Sequence, residues 1–215
     1  LGQYSIWRIG AVPIGGDMLI KQVQVGGMLN FAYIIGDRET GEGLVIDPSW
    51  EPERIYEIAK DAGITVRYVV NTHCHKDHVN GNRRMKELAG ALIAIHEAES
   101  KYLRHFFPPE ADIKLKDNDT IKIGKATITV MHMPGHSPGS ICLMVENKLF
   151  TGDTLFVGGC GRTDLPGGDD SEFLRTLRKI RNLDDDIEVY PGHNYGDIPI
   201  STIGREKMNN PCLSL

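Results

Sequence analysis

Asn71-Thr72-His73-Cys74-His75-Lys76-Asp77-His78 places four side chains able to bind a metal within six residues: His73, His75, Asp77 and His78. Imidazole and carboxylate together suit zinc, iron or manganese. Residues 66–70, just before, are apolar and β-branched and read as a buried strand ending at Asn71. A merely solvated polar loop does not account for such a density of ligand types, and more of them recur downstream. The apolar run 126–131 leads into Pro134-Gly135-His136-Ser137-Pro138-Gly139. Residues 148–150 lead into Thr151-Gly152-Asp153-Thr154, and 187–190 into Pro191-Gly192-His193.

Four strand ends thus carry five histidines and two aspartates. That pool exceeds the four ligands of a closed structural zinc site, and no cysteine-rich set accompanies it. Two ions a few ångströms apart would use all seven groups, with one carboxylate bridging. Loops held by a rigid scaffold are where such sites are built.

The elements that must hold these loops read as alternating strands and helices. Residues 1–47 read as strands and turns. Residues 21–25 alternate as a half-buried strand, and 31–35 with 44–46 form a hairpin around a polar loop. Asp47 is either a turn residue or a support for the metal loop. Residues 53–62 predict a helix stopped by Gly63, with Ile55, Ile58, Ala59 and Ala62 on one face. A helix over 82–89, a strand over 92–95 and a helix over 97–104 follow, and Phe106-Phe107-Pro108-Pro109 breaks the pattern. Short strands follow over 120–123, 126–131, 140–145 and 148–150, the last two joined at Glu146-Asn147. Residues 171–180 predict a helix with Phe173, Leu174, Leu177 and Ile180 on its apolar face. Strands flanked by helices imply a layered α/β fold.

The 215 residues, 40% hydrophobic and 25% charged, fit one domain over residues 1–215. A net charge of −5 with mixed signs offers no basic stripe for nucleic acid. No apolar run is long enough for a membrane span, and the first ten residues lack the pattern of a signal peptide. Cys74, Cys142, Cys160 and Cys212 show no framework spacing, so free thiols and a cytoplasmic location are expected. His96, His105 and His132 read as ordinary surface or core histidines, and Cys74 as pointing away from the ligands around it.

His73-Cys74-His75-Lys76-Asp77-His78 resembles the H-x-H-x-D-H motif of the metallo-β-lactamase superfamily, and His136, Asp153 and His193 fall where that superfamily places its other ligands. The resemblance runs from about Phe31 to Pro211. It implies a four-layer αββα sandwich with the site at one edge between two sheets. His73, His75 and His136 would hold one divalent ion, Asp77, His78 and His193 a second, with Asp153 bridging. Zinc comes first, with iron or manganese as alternatives.

Gly135-His136-Ser137-Pro138-Gly139-Ser140, Phe150-Thr151-Gly152-Asp153-Thr154 and Tyr190-Pro191-Gly192-His193-Asn194-Tyr195 resemble short glyoxalase II-like hydrolases. That implies hydrolysis of a small-molecule thioester or ester, with Asp77, Asp153 and Tyr195 as catalytic candidates. No room follows His193 for the helical C-terminal domain that helps bind glutathione in full glyoxalase II, so glutathione specificity is not carried over. Thr72-His73-Cys74-His75 and Gly159-Cys160-Gly161-Arg162-Thr163-Asp164 also resemble persulfide dioxygenases. That branch implies one Fe(II) on His73, His136 and Asp153, with Asp77, His78 and His193 supporting them. Leu165-Pro166-Gly167-Gly168-Asp169 leans towards the hydrolases. Arg162, Asp164, Tyr195 and Cys160 are substrate-binding candidates, set against a surface ion pair, a half-buried tyrosine and a small buried thiol. The resemblance also implies a homodimer. The acidic balance argues against a nuclease, and the full ligand set against a module that only binds.

Overall fold

The structure is a computed structural model that describes residues 18–106 and 109–214. The first half of the chain builds one sheet, in the spatial order of the sequence: β1 (Met18–Val25), β2 (Asn30–Asp37), β3 (Glu42–Ile46), β4 (Thr65–Val70), β5 (Leu92–His96) and β6 (Ile113–Leu115). β1, β2 and β3 pair antiparallel, and β3 to β6 pair parallel. Parallel neighbours need a crossover. α1 (Pro52–Asp61) supplies the first, α2 (Lys76–Val79) and α3 (Asn82–Ala89) the second, and α4 (Glu97–Phe106) the third.

The second half builds the other sheet from β7 (Thr120–Ile123), β8 (Ala126–His132), β9 (Ile141–Val145) and β10 (Lys148–Gly152) as an antiparallel meander. A two-stranded hairpin, β11 (Leu155–Phe156) and β12 (Gly159–Cys160), stands apart from it. α5 (Asp170–Arg181) then crosses over to β13 (Glu188–Pro191), which pairs parallel with β10, and β14 (Ser201–Thr202) closes that edge. α6 (Ile203–Asn209) and a 3₁₀ turn, Pro211–Leu213, end the described chain.

The apolar runs explain the layering. Strands buried on both faces read as continuous hydrophobic sequence, and their period of two deals side chains alternately to two cores. In β2, Phe31, Tyr33 and Ile35 enter the core between the sheets, and Ala32 and Ile34 enter the core under α1 and α3. In β9, Ile141, Leu143 and Val145 face the first sheet, and Cys142 and Met144 face α5. Three cores between four layers make an αββα sandwich, as the resemblance implies.

Each helix docks by a stripe. Ile55 and Ala59 of α1 are buried, and Gly63, with φ +74°, turns the chain after it. Asp169 caps α5 by accepting a hydrogen bond from the Glu172 amide, and Phe173, Leu177 and Ile180 are buried. Leu174, expected on that face, is instead exposed, because Thr176 completes the buried stripe. The strand-and-turn reading of residues 1–17 and the break at Phe107-Pro108 lie outside the described residues.

Candidate metal centre

The ligand-type residues sit at the ends of four strands, on one edge of the sandwich. β4 ends at Val70, and the loop to α2 carries His73 and His75, with Asp77 and His78 in the first turns of α2. His136 follows β8, Asp153 follows β10, and His193 follows β13. Asn71 sets the first loop: its amide donates to the Ala94 carbonyl, and its side chain bonds Asn82, tying the loop to β5 and α3. Gly81 lets α3 approach, since a Cβ there would lie 1.6 Å from the Pro48 carbonyl oxygen.

The seven side chains converge. His73, His75 and His136 form one triad, and Asp77, His78 and His193 another; within each, the ligand atoms lie within 4.8 Å of one another. His75 Nδ1 is 3.0 Å from His136 Nε2, and His78 Nε2 is 3.3 Å from His193 Nε2. Asp153 stands between the triads. Its Oδ1 is 3.3 Å from His78 Nε2, and its Oδ2 is 3.4 Å from His193 Nε2 and 3.7 Å from His136 Nε2. His73 Nε2 is buried and makes no hydrogen bond, and Asp153 Oδ1 has only its ion-pair contact with His78 Nε2. Buried polar atoms so poorly partnered are rare, and His73 Nε2 lies among further ligand atoms. That orphaned imidazole nitrogen is the observation that fits a metal to this cluster.

The opposite side of four of the five imidazoles is anchored. His73 Nδ1 is 3.0 Å from Thr72 Oγ1, and His78 Nδ1 is 2.9 Å from Asp47 Oδ2. His136 Nδ1 donates to the Arg162 carbonyl at 2.7 Å, and His193 Nδ1 to the Met28 carbonyl at 2.8 Å. Such contacts leave Nε2 free as a ligand. Asn30 donates to Asp77 Oδ2 at 2.9 Å, and Ser49 Oγ donates to the Asp77 carbonyl. Asp47 resolves in favour of support: buried at φ +46°, it also accepts from the Thr72 amide at 2.9 Å and the Thr72 hydroxyl at 2.7 Å. Asn30, Met28 and the Arg162 carbonyl went unforeseen in the sequence. Backbone carbonyls carry no side-chain signal, and Asn30 sits 47 residues from its partner.

Burial lowers the pKa of His73 and His75, keeping both neutral. At His78 burial opposes the charge, but Asp153 and Asp47 outweigh it and hold the pKa well above the usual value. His193 is raised to about 9 against the same burial, by Asp153 and Asp77. Burial would raise Asp77 and Asp153, yet these histidines hold both carboxyls well below the ordinary range. The carboxylates concentrate negative charge on the ligand ring, and a cation there would displace the histidine protons.

The centre opens into a cleft of about 540 Å³. Met28, Phe156, Val157 and Leu165 give it apolar walls. Tyr195 stacks on His193 with ring centroids 4.6 Å apart and packs edge-on against Phe156. It is 53% exposed and lines the cleft. Arg162 lines the cleft and holds Asp164 in a two-pronged, exposed ion pair. Cys160 lines the cleft too, but its expected free thiol is corrected: it is bonded to Cys212 across 52 residues. Two cysteines so far apart give no spacing signal, and only the fold brings them together. Cys74 and Cys142 are free.

The profile of the Metallo-beta-lactamase superfamily matches residues 25–193, a span that contains all seven ligand-type residues. The chain belongs to the metallo-beta-lactamase superfamily. The human mitochondrial persulfide dioxygenase ETHE1 is 32% identical over 205 residues, covering 94% of this chain and 78% of its own length. The hydroxyacylglutathione hydrolase GloC of Haemophilus influenzae is 33% identical over 214 residues, covering 92% of this chain and 99% of its own. The crystal structure of ETHE1 from Myxococcus xanthus superposes with a TM-score of 0.81 at 28% identity, covering 90% of this chain and 83% of that one. Among the described residues no helix is long and apolar enough to cross a membrane.

Proposed function

We propose that this chain is a metal-dependent hydrolase that cleaves a thioester or ester of a small acid at a dinuclear centre. The observation that carries the reading is the pair of ligand triads that share Asp153. His73, His75 and His136 would hold one ion, Asp77, His78 and His193 the other, and Asp153 would bridge. Bound ions of this kind supply a water acidified to about neutral pKa and an electrophile for a carbonyl oxygen.

The chain's own groups do the rest. Asp77, kept as a carboxylate and held by Asn30, would accept a hydrogen bond from the attacking water and fix its direction. The Tyr195 hydroxyl would donate to the substrate carbonyl. Met28, Phe156 and Leu165 exclude water from the acyl part. Arg162 presents its guanidinium at the rim, where a substrate carboxylate would replace Asp164 as its partner. A thiolate leaves readily, so no strong general acid is needed.

The alternative is a mononuclear iron persulfide dioxygenase using His73, His136 and Asp153. The similarity to human ETHE1 over 94% of the chain favours it. The test of the hydrolase is thiol release from a panel of small-acid thioesters as metal is added. Turnover should rise with the second equivalent of metal. Full turnover at one equivalent, or none with any thioester or ester, would overturn the proposal.

A further inference from the structure

The wall of the cleft that orients His136 is built from three consecutive residues. Cys160 ends β12 and lines the cleft. Gly161 packs so closely that a Cβ there would lie 2.9 Å from His136 Nδ1 and 2.0 Å from the Asp153 carbonyl oxygen. Arg162 supplies the carbonyl that accepts the His136 proton.

Behind this wall lies the C-terminal segment. The tip of the β11–β12 hairpin is held to it by polar contacts. Buried Glu206 accepts from the Gly158 amide at 2.7 Å, and Asn210 donates to the Phe156 and Gly159 carbonyls at 3.1 and 2.9 Å. Past Gly159, the Cys160–Cys212 disulfide joins the wall to the 3₁₀ turn. That covalent tie stands two residues before the Arg162 carbonyl. Both of its cysteines are half-buried and pack beside the core under α5, and Cys160 also lines the cleft. A disulfide with one cysteine in the wall of a cleft can be attacked by a thiolate that enters it, since access and the departing thiol govern exchange.

We propose that Cys160 is a thiol-exchange site: a small thiol in the cleft opens the Cys160–Cys212 disulfide, leaves a mixed disulfide on Cys160 and loosens the wall that orients His136. The thiolate attacks Cys160 Sγ, a new sulfur–sulfur bond forms, and Cys212 departs as a thiolate that takes a proton from water. A second thiolate attacks the added sulfur, releases the small disulfide and leaves Cys160 as a thiolate. That small disulfide, in excess, runs the same steps backwards and closes the bridge. The effect on the centre rests on the metalloenzyme reading above, under which a thiol is also the product released in this cleft.

The experiment uses protein purified without reductant and treated with 2-mercaptoethanol over a range of concentrations. Samples are quenched with N-ethylmaleimide and read by intact mass and peptide mapping. The expected result is a single 2-mercaptoethanol adduct on Cys160 with Cys212 alkylated, giving way at higher thiol to alkylation of both. In parallel, zinc-loaded protein is challenged with a chromophoric chelator. The opened form, and Cys212→Ser without thiol, should release zinc about tenfold faster, as expected when a group orienting a metal-binding imidazole is loosened. Complete alkylation of Cys160 and Cys212 before any thiol is added would overturn the proposal, as would an adduct on Cys212. Equal release rates from the closed and opened forms would overturn the coupling to His136. Failure to bind zinc in any form would defeat the metalloenzyme reading instead, and the mass spectra would still decide the exchange.

Discussion

Asp47→Asn separates the support of the centre from the stability of the fold. Asp47 Oδ1 accepts from the Thr72 amide, and Oδ2 accepts from the Thr72 hydroxyl and lies 2.9 Å from His78 Nδ1. Asparagine tolerates the left-handed backbone at φ +46° and keeps one acceptor for the Thr72 amide. Its NH₂ then faces His78 Nδ1, which can only accept from it. The imidazole proton moves to Nε2, the atom that faces Asp77, Asp153 and His193. Loss of a supporting carboxylate of this kind weakens metal binding about 10- to 100-fold, or about 1.4 to 2.7 kcal/mol. The thermal midpoint of the metal-free protein should fall far less than in Asp47→Ala, which strands the buried Thr72 amide at about 1–3 kcal/mol. A competition titration with a metal-sensitive dye reads both equivalents. One should weaken in Asp47→Asn and the other stay close to wild type. Wild-type affinity for both equivalents would refute the tautomer argument.

Three further outcomes follow from the same geometry. His75→Ala should abolish thioester hydrolysis and lower metal content; full activity with two bound ions would remove His75 from the ligand set. Gly81→Ala should destabilise the protein by about 1–3 kcal/mol in a urea melt, because its Cβ meets the Pro48 carbonyl oxygen at 1.6 Å, and should weaken metal binding by displacing the turn beside Asp47. Asp37 joins the two sheets by accepting from the Glu39 and Lys125 amides at 2.8 and 2.7 Å, and the Lys125 amide is the main cause of its lowered pKa. A depressed folded pKa means its contribution is complete above the unfolded value, near 3.9, and is lost as pH falls through the folded one. The urea midpoint of Asp37→Asn should therefore lie below wild type at pH 7, and the gap should narrow below about pH 4; a gap that widens in acid would contradict this.

The ligand loops were legible in the sequence because their signal is local. Each follows an apolar β-run within a few residues, and His73 to His78 is dense enough to stand out alone. The layering was legible in outline from the runs in β2 and β9, whose alternate residues serve different cores. What escaped was non-local or too short to show a period. β6, β11, β12 and β14 span two or three residues each. The Cys160–Cys212 bond and the Met28 and Arg162 carbonyls depend on segments that meet only in the folded chain. Leu174 misled because its spacing matched the stripe while Thr176 took the buried place.

The most direct test of the central claim is oxygen uptake by iron-loaded protein given glutathione persulfide, run beside thiol release from thioesters on the same preparation. A dinuclear hydrolase predicts thiol release that needs two equivalents of metal, and no oxygen uptake above the metal-free control. Rapid uptake stoichiometric with persulfide, from protein holding one iron, would contradict it and assign the working centre to His73, His136 and Asp153.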